Sequence, residues 1–526
     1  MKSKRLAATC FSVSLLLLTG NATAAAKEAA PVVRIAQGKL QGVEENGIAV
    51  FRGIPFAGDT GGEHRWKPPT PAPSWKGLRK AAKAGAICPQ STQARNGVVA
   101  PWLAHFSMSE DCLNLNVYRP ALAKGEQAPV MVWIHGGFAR IGTGSRHDGK
   151  DLAQQGMVVV TINYRLDRLG LFAHPALSAE QPDAALGNYA LLDMLAALRW
   201  VQDNIASFGG DPDKVTIFGQ SSGGIAVSAL MGSPMSRGLF QRAIAQSGVM
   251  ADLDHERRLA QDLPGSPSLE SDGVAMAQAL LPKTSNVGGA ELRALPWQEL
   301  VAYTAKQPAS ALVPVVDGKV LVRPVAATFA AGEQQPVPFM VGSTSWEQSL
   351  YVNFNLPKAA ILAGVPAQDT DRLYPGLEDK ALVNQWLADT GFHAPGRFLA
   401  DGSARHGQPT WVYRFDHIPP AHPQQPGAAH SDDVPYLFTP IAAPGWPADN
   451  PTEQKMAAMM LGYWTQFART GNPNGPGLPA WPAWQAGGNG ATQLLDVPAS
   501  TQAGLWKARM DYHHARYQKA LDTAKP

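Results

Sequence analysis

Cysteine is scarce in this chain, which has three among 526 residues. The sequence also has no H-E-x-x-H segment and no cluster of histidine and cysteine at the spacing of zinc ligands. A zinc site is therefore not supported. Long apolar runs are equally rare: beyond the N-terminal region, no segment is apolar over the length that crosses a bilayer. We therefore expect a mature chain without a membrane span.

The first 24 residues have the pattern of a secretory signal peptide. Lys2, Lys4 and Arg5 precede an apolar stretch that includes Leu15–Leu18, and small residues follow around Ala22–Ala24. This stretch is too short, and wrongly flanked, for a spanning helix; the alternative is an N-terminal anchoring helix. We expect export, either to the periplasm or beyond the outer membrane.

Charge of one sign is not in excess either. The formal net charge of +3 includes three basic residues of the signal segment, so the mature chain is close to neutral. Binding to nucleic acid or to anionic membranes is therefore not supported. Removal of the signal also leaves two cysteines, Cys88 and Cys112. An even pair in an oxidising compartment most simply forms one disulfide, and two unrelated buried thiols are the alternative.

Segments typical of strands and helices alternate from Pro129 onward. Short apolar runs that end in glycine or polar residues are typical of strands buried on both faces of a parallel sheet. The runs are PVMVWIHGG, MVVVTINYR, VTIFGQ, RAIAQSG, VPFMVGS and WVYRFD. Helical spacing recurs between Leu191 and Ile205, and residues 250–310 read as inserted helices and loops. The pattern predicts an α/β fold in which helices cover both faces of a large, mostly parallel central sheet.

The residues before Pro129 predict a different arrangement. VVRIAQGKLQGV followed by IAVFRGIPF resembles a β-hairpin, and LNLNVYRP predicts another strand. We expect these segments to add antiparallel strands to the edge of the parallel sheet. Since no Pro- or Ser-rich linker interrupts the chain, residues 25–526 are expected to form one domain.

The stretch VTIFGQSSGG at 215–224 places two serines between glycines at the end of a predicted strand. Gly219 to Gly223 fit G-x-S-x-G, and a helix-like run follows, which is the context of a nucleophile elbow. The sharp turn leaves no room for bulk on either side, and a hydroxyl at a helix N-terminus faces a dipole that favours a developing anion. Ser221 is the candidate nucleophile, and Ser222 is better placed to donate its backbone N–H.

A serine nucleophile needs a base and an acid that orients the base. In hydrolases of this topology the acid and then the histidine follow the serine along the chain. Glu347 follows the strand VPFMVGS, while Glu333 and Asp317 compete for the role of acid, although Asp317 lies in an Asp-Gly turn. The candidates for the base are the histidines that follow the strand WVYRFD, namely His417, His422 and His430. Spacing alone does not decide between His417 and His430.

A glycine-rich turn after an earlier strand supplies candidate donors to an oxyanion. His135-Gly136-Gly137-Phe138 follows the strand PVMVWI, which is where such a turn is found in this topology. We expect His135 to be a structural hydrogen-bonding residue and not a catalytic one.

Taken together, the motifs resemble those of the type-B carboxylesterases, the α/β-hydrolase family that includes cholinesterases and bacterial para-nitrobenzyl esterases. The resemblance covers nearly the whole mature chain. It is carried, in the family's order, by FRGIPFA at 51–57, SEDCLNLNVY at 109–118, NYRLDRLGLF at 163–172, NIASFGGDPDKVTIFGQSSGG at 204–224, LFQRAIAQSG at 239–248 and FARTGNPN at 467–474.

The resemblance implies a serine carboxylesterase of the α/β-hydrolase fold that needs no metal or organic cofactor. It makes Ser221 the nucleophile, Glu347 the acid and His430 the base. It also implies an oxyanion hole formed by the residues Gly137, Phe138 and Ser222, a Cys88–Cys112 disulfide, and an ion pair between Arg65 and Glu110. The expected partner is a small-molecule ester.

The departures from the family pattern bear on specificity. Gln220 stands where the family usually has Glu, Phe138 where it has Gly or Ala, Trp346 where it has an acid, and Asp167 where Gly is common. Arg140 could bind a carboxylate of the substrate, since some bacterial relatives hydrolyse polycarboxylate esters of fungal toxins; the alternative is a structurally paired arginine.

Two further expectations concern the substrate pocket and the class of protein. Trp102 and Phe106 could line the pocket entrance, or anchor the disulfide loop to the core. Trp346 could line the pocket as well. An amidase with the same three residues and a non-catalytic adhesion-type homologue are the rival functions.

Overall fold

The computed structural model describes residues 30–92, 101–251, 256–307, 313–440, 450–487 and 490–523. The expected signal segment, residues 1–24, lies outside these ranges. The strands of the described ranges are β1 Val32–Ile35, β2 Gly38–Gln41, β3 Val43–Glu45, β4 Ile48–Pro55, β5 Leu78–Lys80, β6 Asn114–Arg119, β7 Ala128–Ile134, β8 His147–Asp148, β9 Val158–Ile162, β10 Gly210–Gln220, β11 Arg242–Gln246, β12 Phe339–Thr344, β13 Thr410–Phe415, β14 Thr439–Pro440, β15 Ala491–Leu495 and β16 Ser500–Ala503.

The α-helices of the same ranges follow or interrupt these strands. They are α1 Lys150–Gln154, α2 Asp167–Gly170, α3 Pro175–Glu180, α4 Tyr189–Asn204, α5 Ser222–Gly232, α6 Leu269–Leu280, α7 Gly289–Ala294, α8 Trp297–Ala305, α9 Val325–Ala331, α10 Lys358–Ile361, α11 Ala367–Leu373, α12 Asp379–Ala388, α13 Ala394–Arg405, α14 Pro451–Thr470 and α15 Lys507–Thr523. The short helices α6, α7 and α8 lie in the expected insertion between β11 and β12. Among the described residues, no helix combines the length and the hydropathy that crossing a bilayer requires.

The central sheet has eleven strands in the order β16-β15-β13-β12-β11-β10-β7-β9-β6-β4-β3. Neighbouring strands are parallel from β15 to β9. The remaining pairs, β16 at one edge and β6, β4 and β3 at the other, are antiparallel. The predicted mostly parallel sheet with antiparallel N-terminal strands is therefore confirmed.

The N-terminal hairpin differs from the expected pairing. The hairpin forms within the first segment, between β1 and β2, and belongs to a separate three-stranded sheet with β5. β4 instead joins the central sheet and pairs with β3 and β6. The turn between β1 and β2 is only two residues long, so these strands close on each other before the chain reaches β4.

Alternate residues of the central strands enter two hydrophobic cores, one on each face of the sheet. In β7, Val130, Val132 and Ile134 face the core that is covered by α4 and α5, while Met131 and Trp133 face the core that is covered by α14. All five side chains are buried. This two-sided burial explains why the strands read as continuous apolar runs. It also leaves polar residues at the carboxyl ends of the strands, where functional side chains gather in open α/β sheets.

Candidate active site

Ser221 occupies a sharp turn between β10, which ends at Gln220, and α5, which begins at Ser222. Its backbone has φ 58° and ψ −126°, a conformation that is rare outside glycine and recurs at functional sites. A Cβ on Gly223 would lie 2.0 Å from the carbonyl oxygen of Ile134, and one on Gly219 would lie 2.6 Å from that of Gly223. Glycine is therefore required at both positions, and the G-x-S-x-G pattern builds the turn.

Backbone contacts fix Ser221 at the N-terminus of α5. Its N–H donates to the carbonyl oxygen of Gln246 at the end of β11, at 2.8 Å. α5 runs for 11 residues from Ser222. The positive end of the helix dipole therefore faces the region around the serine, where it favours negative charge.

His430 and Glu347 form the most direct charge contact near this turn. Nδ1 of His430 lies 2.6 Å from Oε2 of Glu347. The other oxygen of Glu347 accepts the N–H of Thr344 at 2.8 Å. The N–H of His430 donates to the hydroxyl of Ser349 at 2.9 Å, so the segment after β12 holds both ends of the pair. Glu347 is fully buried, and the His430 side chain is 8% exposed.

The pair shifts the pKa values of both groups in opposite directions. Burial by itself would raise the pKa of Glu347, but the charge of His430 and its hydrogen bond outweigh burial and lower that pKa. Burial would likewise lower the pKa of His430, but the charge of Glu347 and its hydrogen bond raise it. The arrangement therefore favours an imidazolium beside an ionised carboxylate.

Gln220 links this pair to the serine turn. Its side-chain nitrogen lies 3.2 Å from Nε2 of His430. Since the carboxylate of Glu347 can only accept, Nδ1 of His430 carries a proton, and Nε2 of the neutral ring accepts the N–H of Gln220. The imidazole edge thus reaches the residue directly before Ser221.

The competing candidates lie in other environments. His417 is hydrogen-bonded to Glu453 at 2.6 Å and to Asp496 at 2.8 Å. Asp317 accepts the N–H groups of Lys319 and Leu321 within its own turn, as expected for Asp-Gly. Two others are at the surface: Glu333 pairs with Arg323 at 3.1 Å, and His422 is exposed. Of the candidate acids and bases, Glu347 and His430 are thus the two that contact each other.

The turn after β7 has three consecutive residues with positive φ: Gly137 at 111°, Phe138 at 60° and Ala139 at 55°. The N–H of Ala139 donates to the hydroxyl of Ser222 at 3.1 Å, which joins this turn to the start of α5. Backbone amides that point the same way across such turns form concave anion sites. The predicted donors Gly137, Phe138 and Ser222 therefore lie on two turns that are in direct contact.

His135 supports this turn from behind. Its ring stacks on Tyr164 with centroids 4.4 Å apart, and Nδ1 lies 2.8 Å from the carbonyl oxygen of Gly136. Burial lowers its pKa to about 4, so the ring is neutral near pH 7. These contacts agree with a structural role for His135.

Arg140 follows the turn and is already engaged. Both terminal nitrogens of its guanidinium donate to the carbonyl oxygen of Gln307, each at 3.1 Å. Its charge also lowers the pKa of Asp167, which burial raises more strongly, to about 6. Arg140 therefore joins the turn to the segment that follows α8.

The other candidate pocket residues lie in two places. Trp102 and Phe106 contact each other edge to face with ring centroids 6.3 Å apart, and Arg146 lies over Trp102 at 5.1 Å. Trp346 directly precedes Glu347, and its N–H donates to the carbonyl oxygen of Ala428 at 2.8 Å. All three aromatic side chains are half-buried.

The predicted disulfide between Cys88 and Cys112 is present, with Cα atoms 5.0 Å apart. Close to it, Arg65 binds Glu110 with two hydrogen bonds of 2.6 and 2.7 Å. The two side chains are 6% and 13% exposed, so the ion pair is largely buried. Arg65 also donates to the carbonyl oxygen of Leu295 at 2.6 Å, which connects the disulfide loop to the segment before α8.

Two contacts of His430 were missed by the sequence reasoning. Phe392 lies in a π-helical turn, Asp389–His393, and its ring centroid is 5.2 Å from that of His430. No motif surrounds Phe392, so the sequence offers no signal for it. The side chain of Gln220 departs from the family pattern, and its position next to Ser221 is the signal in the sequence that points to its contact with His430.

Comparison with known proteins decides the family. The model of the carboxylesterase family matches residues 29–374 and 375–514. The chain belongs to the carboxylesterase family. This carboxylesterase is 34% identical over 461 residues to a fumonisin B1 esterase of Sphingopyxis macrogoltabida, covering 83% of the chain and 81% of that protein. It is also 34% identical over 523 residues to a cocaine esterase of Homo sapiens, with coverages of 90% and 89%.

Solved structures agree with that assignment. A carboxylesterase of Geobacillus stearothermophilus superposes with a TM-score of 0.77 at 31% identity, covering 93% of this chain and 99% of that one. A PNB esterase gives the same TM-score at 30% identity, with coverages of 94% and 100%. The α/β-hydrolase fold is therefore confirmed, and this carboxylesterase is a carboxylic ester hydrolase whose substrates are small-molecule esters. Within the described ranges, His, Cys, Asp and Glu side chains form no group of three or more that could hold a metal ion.

Proposed function

We propose that this carboxylesterase hydrolyses esters through an acyl-enzyme on Ser221, with His430 as general base and acid and Glu347 as the acid that orients it. The contact that supports this best is the 2.6 Å hydrogen bond between His430 and Glu347. The imidazole of His430 also reaches Gln220, the residue before Ser221. The positive φ of Ser221 supports the same role, because strain of this kind gathers at functional residues.

The proposed reaction has two steps. The hydroxyl of Ser221 attacks the ester carbonyl while Nε2 of His430 takes its proton, and Glu347 stabilises the imidazolium. The tetrahedral intermediate expels the alcohol, which receives the proton from His430. Water, deprotonated by His430, then attacks the acyl-enzyme and releases the acid and the free serine.

The proposed oxyanion hole consists of the backbone amides of Gly137, Phe138 and Ser222. In the described ranges, the amides of Gly137 and Ser222 donate to no other group, and Ser222 is the first residue of α5. Each such donor lowers the barrier by about 2.7–4 kcal/mol in comparable sites.

We propose that neutral esters are the preferred substrates. The hydrogen bonds of Arg140 to Gln307, and its proximity to Asp167, compensate its charge within the protein. The proposed pocket wall includes Trp102, Phe106 and Trp346. The alternative is an ester that carries a carboxylate on the acyl group, held by Arg140; it keeps some support because one relative is named a fumonisin B1 esterase.

Labelling with an aryl phosphonofluoridate, followed by peptide mass spectrometry, tests the nucleophile. One equivalent should add to the peptide that contains Ser221, and Ser221→Ala should lose both the label and nearly all turnover of a short-chain aryl ester. Ser228→Ala on the same helix is the control, since this buried hydroxyl donates to the carbonyl oxygen of Ile225. Full activity in Ser221→Ala would contradict the proposal.

A pair of substrates tests the class of ester. The kcat/KM for a neutral short-chain aryl ester should exceed that for the same ester with a free carboxylate on the acyl side. The opposite preference would assign Arg140 to the substrate. An anilide of the same acid should be hydrolysed far more slowly than the ester. Equal rates for the anilide and the ester would favour the amidase. If none of these substrates were hydrolysed, the adhesion-type homologue would be favoured.

We also propose that residues 25–526 form one exported domain after removal of residues 1–24. The disulfide between Cys88 and Cys112 supports an oxidising compartment. N-terminal sequencing of the protein recovered from periplasm and medium would test the export and the removal of residues 1–24. Protein with an intact N-terminus in the cytoplasm would contradict both.

A further inference from the structure

The turn Gly137–Ala139 is strained over its whole length. Its three successive positive φ angles persist only where surrounding contacts hold them. Two contacts involve Ala139: its N–H donates to the hydroxyl of Ser222, and its carbonyl oxygen accepts the N–H of Asp167 at 2.7 Å. Asp167 is therefore in direct contact with the turn that carries the proposed oxyanion donors.

Asp167 is itself an unusual residue for its position. It has φ 59°, is 3% exposed, and begins α2. Its carboxylate accepts the N–H of Arg168 at 2.6 Å and lies near Thr304 on α8, whose hydroxyl donates to the carbonyl oxygen of Leu300. The charges of Arg140 and Arg168 face it. Glycine would adopt this backbone without strain. The backbone conformation therefore does not explain the aspartate, and its role lies in the contacts of its carboxylate.

Arg140 makes a parallel connection to the same helix end. Its N–H donates to the carbonyl oxygen of Gly137 at 3.0 Å, and its guanidinium donates to Gln307, two residues beyond the end of α8. The turn thus reaches this helix end in two ways: Arg140 donates to Gln307, and Asp167, whose N–H donates to Ala139, begins the helix α2 that packs against α8.

We propose that Asp167 and Arg140 are positioning residues that tie the turn Gly137–Ala139 to the end of α8, and so hold the oxyanion donors in place. This inference rests on the proposed function, because it gives the turn a role in binding the oxyanion. It assigns Arg140 to the protein scaffold and not to the substrate.

The ionised carboxylate of Asp167 should destabilise the folded protein at neutral pH. Burial raises its pKa to about 6, although Thr304, Arg168 and Arg140 act to lower it. The folded state then binds a proton more tightly than the unfolded chain, so stability falls as the pH rises from about 4 to about 6 and stays lower above it. A merely structural aspartate would be expected to stabilise the fold, whereas a positioning residue can reduce stability and still be required for activity.

Asp167→Asn separates these roles, because it keeps the shape of the side chain and removes its charge. At pH 8 we expect a Tm equal to or above that of the unmodified enzyme. We also expect kcat for a neutral aryl ester to fall about tenfold, with KM within twofold, since small displacements of catalytic groups act on the transition state. The Ki of a trifluoromethyl ketone, which binds as a tetrahedral oxyanion, should rise by the same factor as kcat/KM falls.

Arg140→Gln should show the same pattern. The double variant should lose no more kcat than the more impaired of the two single variants, because both residues hold one turn. Asp317→Asn is the matched control: burial also raises the pKa of this carboxyl, which accepts the N–H groups of Lys319 and Leu321 in its own turn and lies near Asn188. It should leave kcat, KM and Ki unchanged.

Three results would overturn the inference. The first is a kcat/KM and a Ki of Asp167→Asn within twofold of the unmodified enzyme. The second is a loss of kcat that is accompanied by a lower Tm, which marks a structural role. The third is an effect of Arg140→Gln confined to the KM of a carboxylate-bearing ester. If Ser221→Ala kept full activity, the proposed function would fail instead; an inactive Ser221→Ala beside a normal Asp167→Asn would reject only this inference.

Discussion

The side-chain nitrogen of Gln220 lies 3.2 Å from Nε2 of His430, the nitrogen that must take the proton of Ser221 in the proposed reaction. Gln220 therefore contacts the nitrogen whose lone pair the serine hydroxyl would use in the proposed reaction. Because the amide is neutral, it neither attracts nor repels the imidazolium as a charged group would.

Gln220→Glu should shift the pH dependence of the enzyme. A carboxylate at 3.2 Å favours the protonated imidazole, so the pKa of His430 should rise further. The acidic limb of kcat/KM against pH should then move to higher pH by about one unit. Gln202→Glu, whose amide donates to the backbone of Pro212 and Leu239, is the control and should leave the profile in place. An unchanged limb in Gln220→Glu would show that the two side chains do not interact in solution.

The pair of Glu347 and His430 should stabilise the fold mainly between about pH 4.5 and 6.5. The lowered pKa of Glu347 means that its contribution is present above its ordinary value of 4.5 and is lost as the pH falls through the folded-state pKa. The raised pKa of His430 means that its contribution is present below 6.5 and is lost as the pH rises through the folded-state pKa.

Glu347→Gln tests this window. Its Tm should fall further below that of the unmodified enzyme at pH 5.5 than at pH 9, and its kcat should drop on the order of 10⁴-fold, as expected when the orienting acid of such a triad is neutralised. Glu333→Gln, an exposed acid paired with Arg323, should change neither value appreciably. Equal Tm differences at both pH values would contradict the predicted linkage.

Removal of the disulfide should lower stability more than activity. The bond between Cys88 and Cys112 spans 24 positions, and a loop of that size restricts the unfolded chain by about 3 kcal/mol. The double variant Cys88→Ala/Cys112→Ala should therefore unfold at lower denaturant concentration, with kcat within a few-fold. Reduction of the unmodified enzyme should have the same effect, and an unchanged midpoint in both cases would refute the estimate.

Glu110→Gln should be strongly destabilising for a substitution in a loop. Its partner Arg65 is almost fully buried, and removal of one member of a buried ion pair typically costs about 3–5 kcal/mol. Asp379→Asn breaks the exposed pair with Lys358 and should cost at most about 1 kcal/mol. Denaturant unfolding of both variants measures the difference; similar values would show that burial does not govern the pair.

Local features were predictable because they depend on neighbours in the chain. The runs of β7 and β9 to β12 identify themselves by continuous apolar character, which two-sided burial requires. The pattern of the turn at Ser221 is equally local, since Gly219 and Gly223 flank the serine directly in the chain. Glycine is needed at both positions because the backbone passes close to Ile134. The N-terminal pairing was only partly predictable, because the first segment forms its own hairpin of β1 and β2 while β3 pairs with β4, and both turns are two residues long.

The sequence by itself determined the order of strands and helices, the family, the candidate serine and the even pair of cysteines. The tertiary structure decided which histidine meets Glu347, since these residues are 83 positions apart and His417 instead binds Glu453 and Asp496. It also decided that Gln220 reaches His430 across 210 positions, and that Asp167 contacts the turn at Ala139. Such contacts depend on how the strands are ordered in the sheet and on where the loops at its carboxyl edge converge, and no local pattern encodes that order.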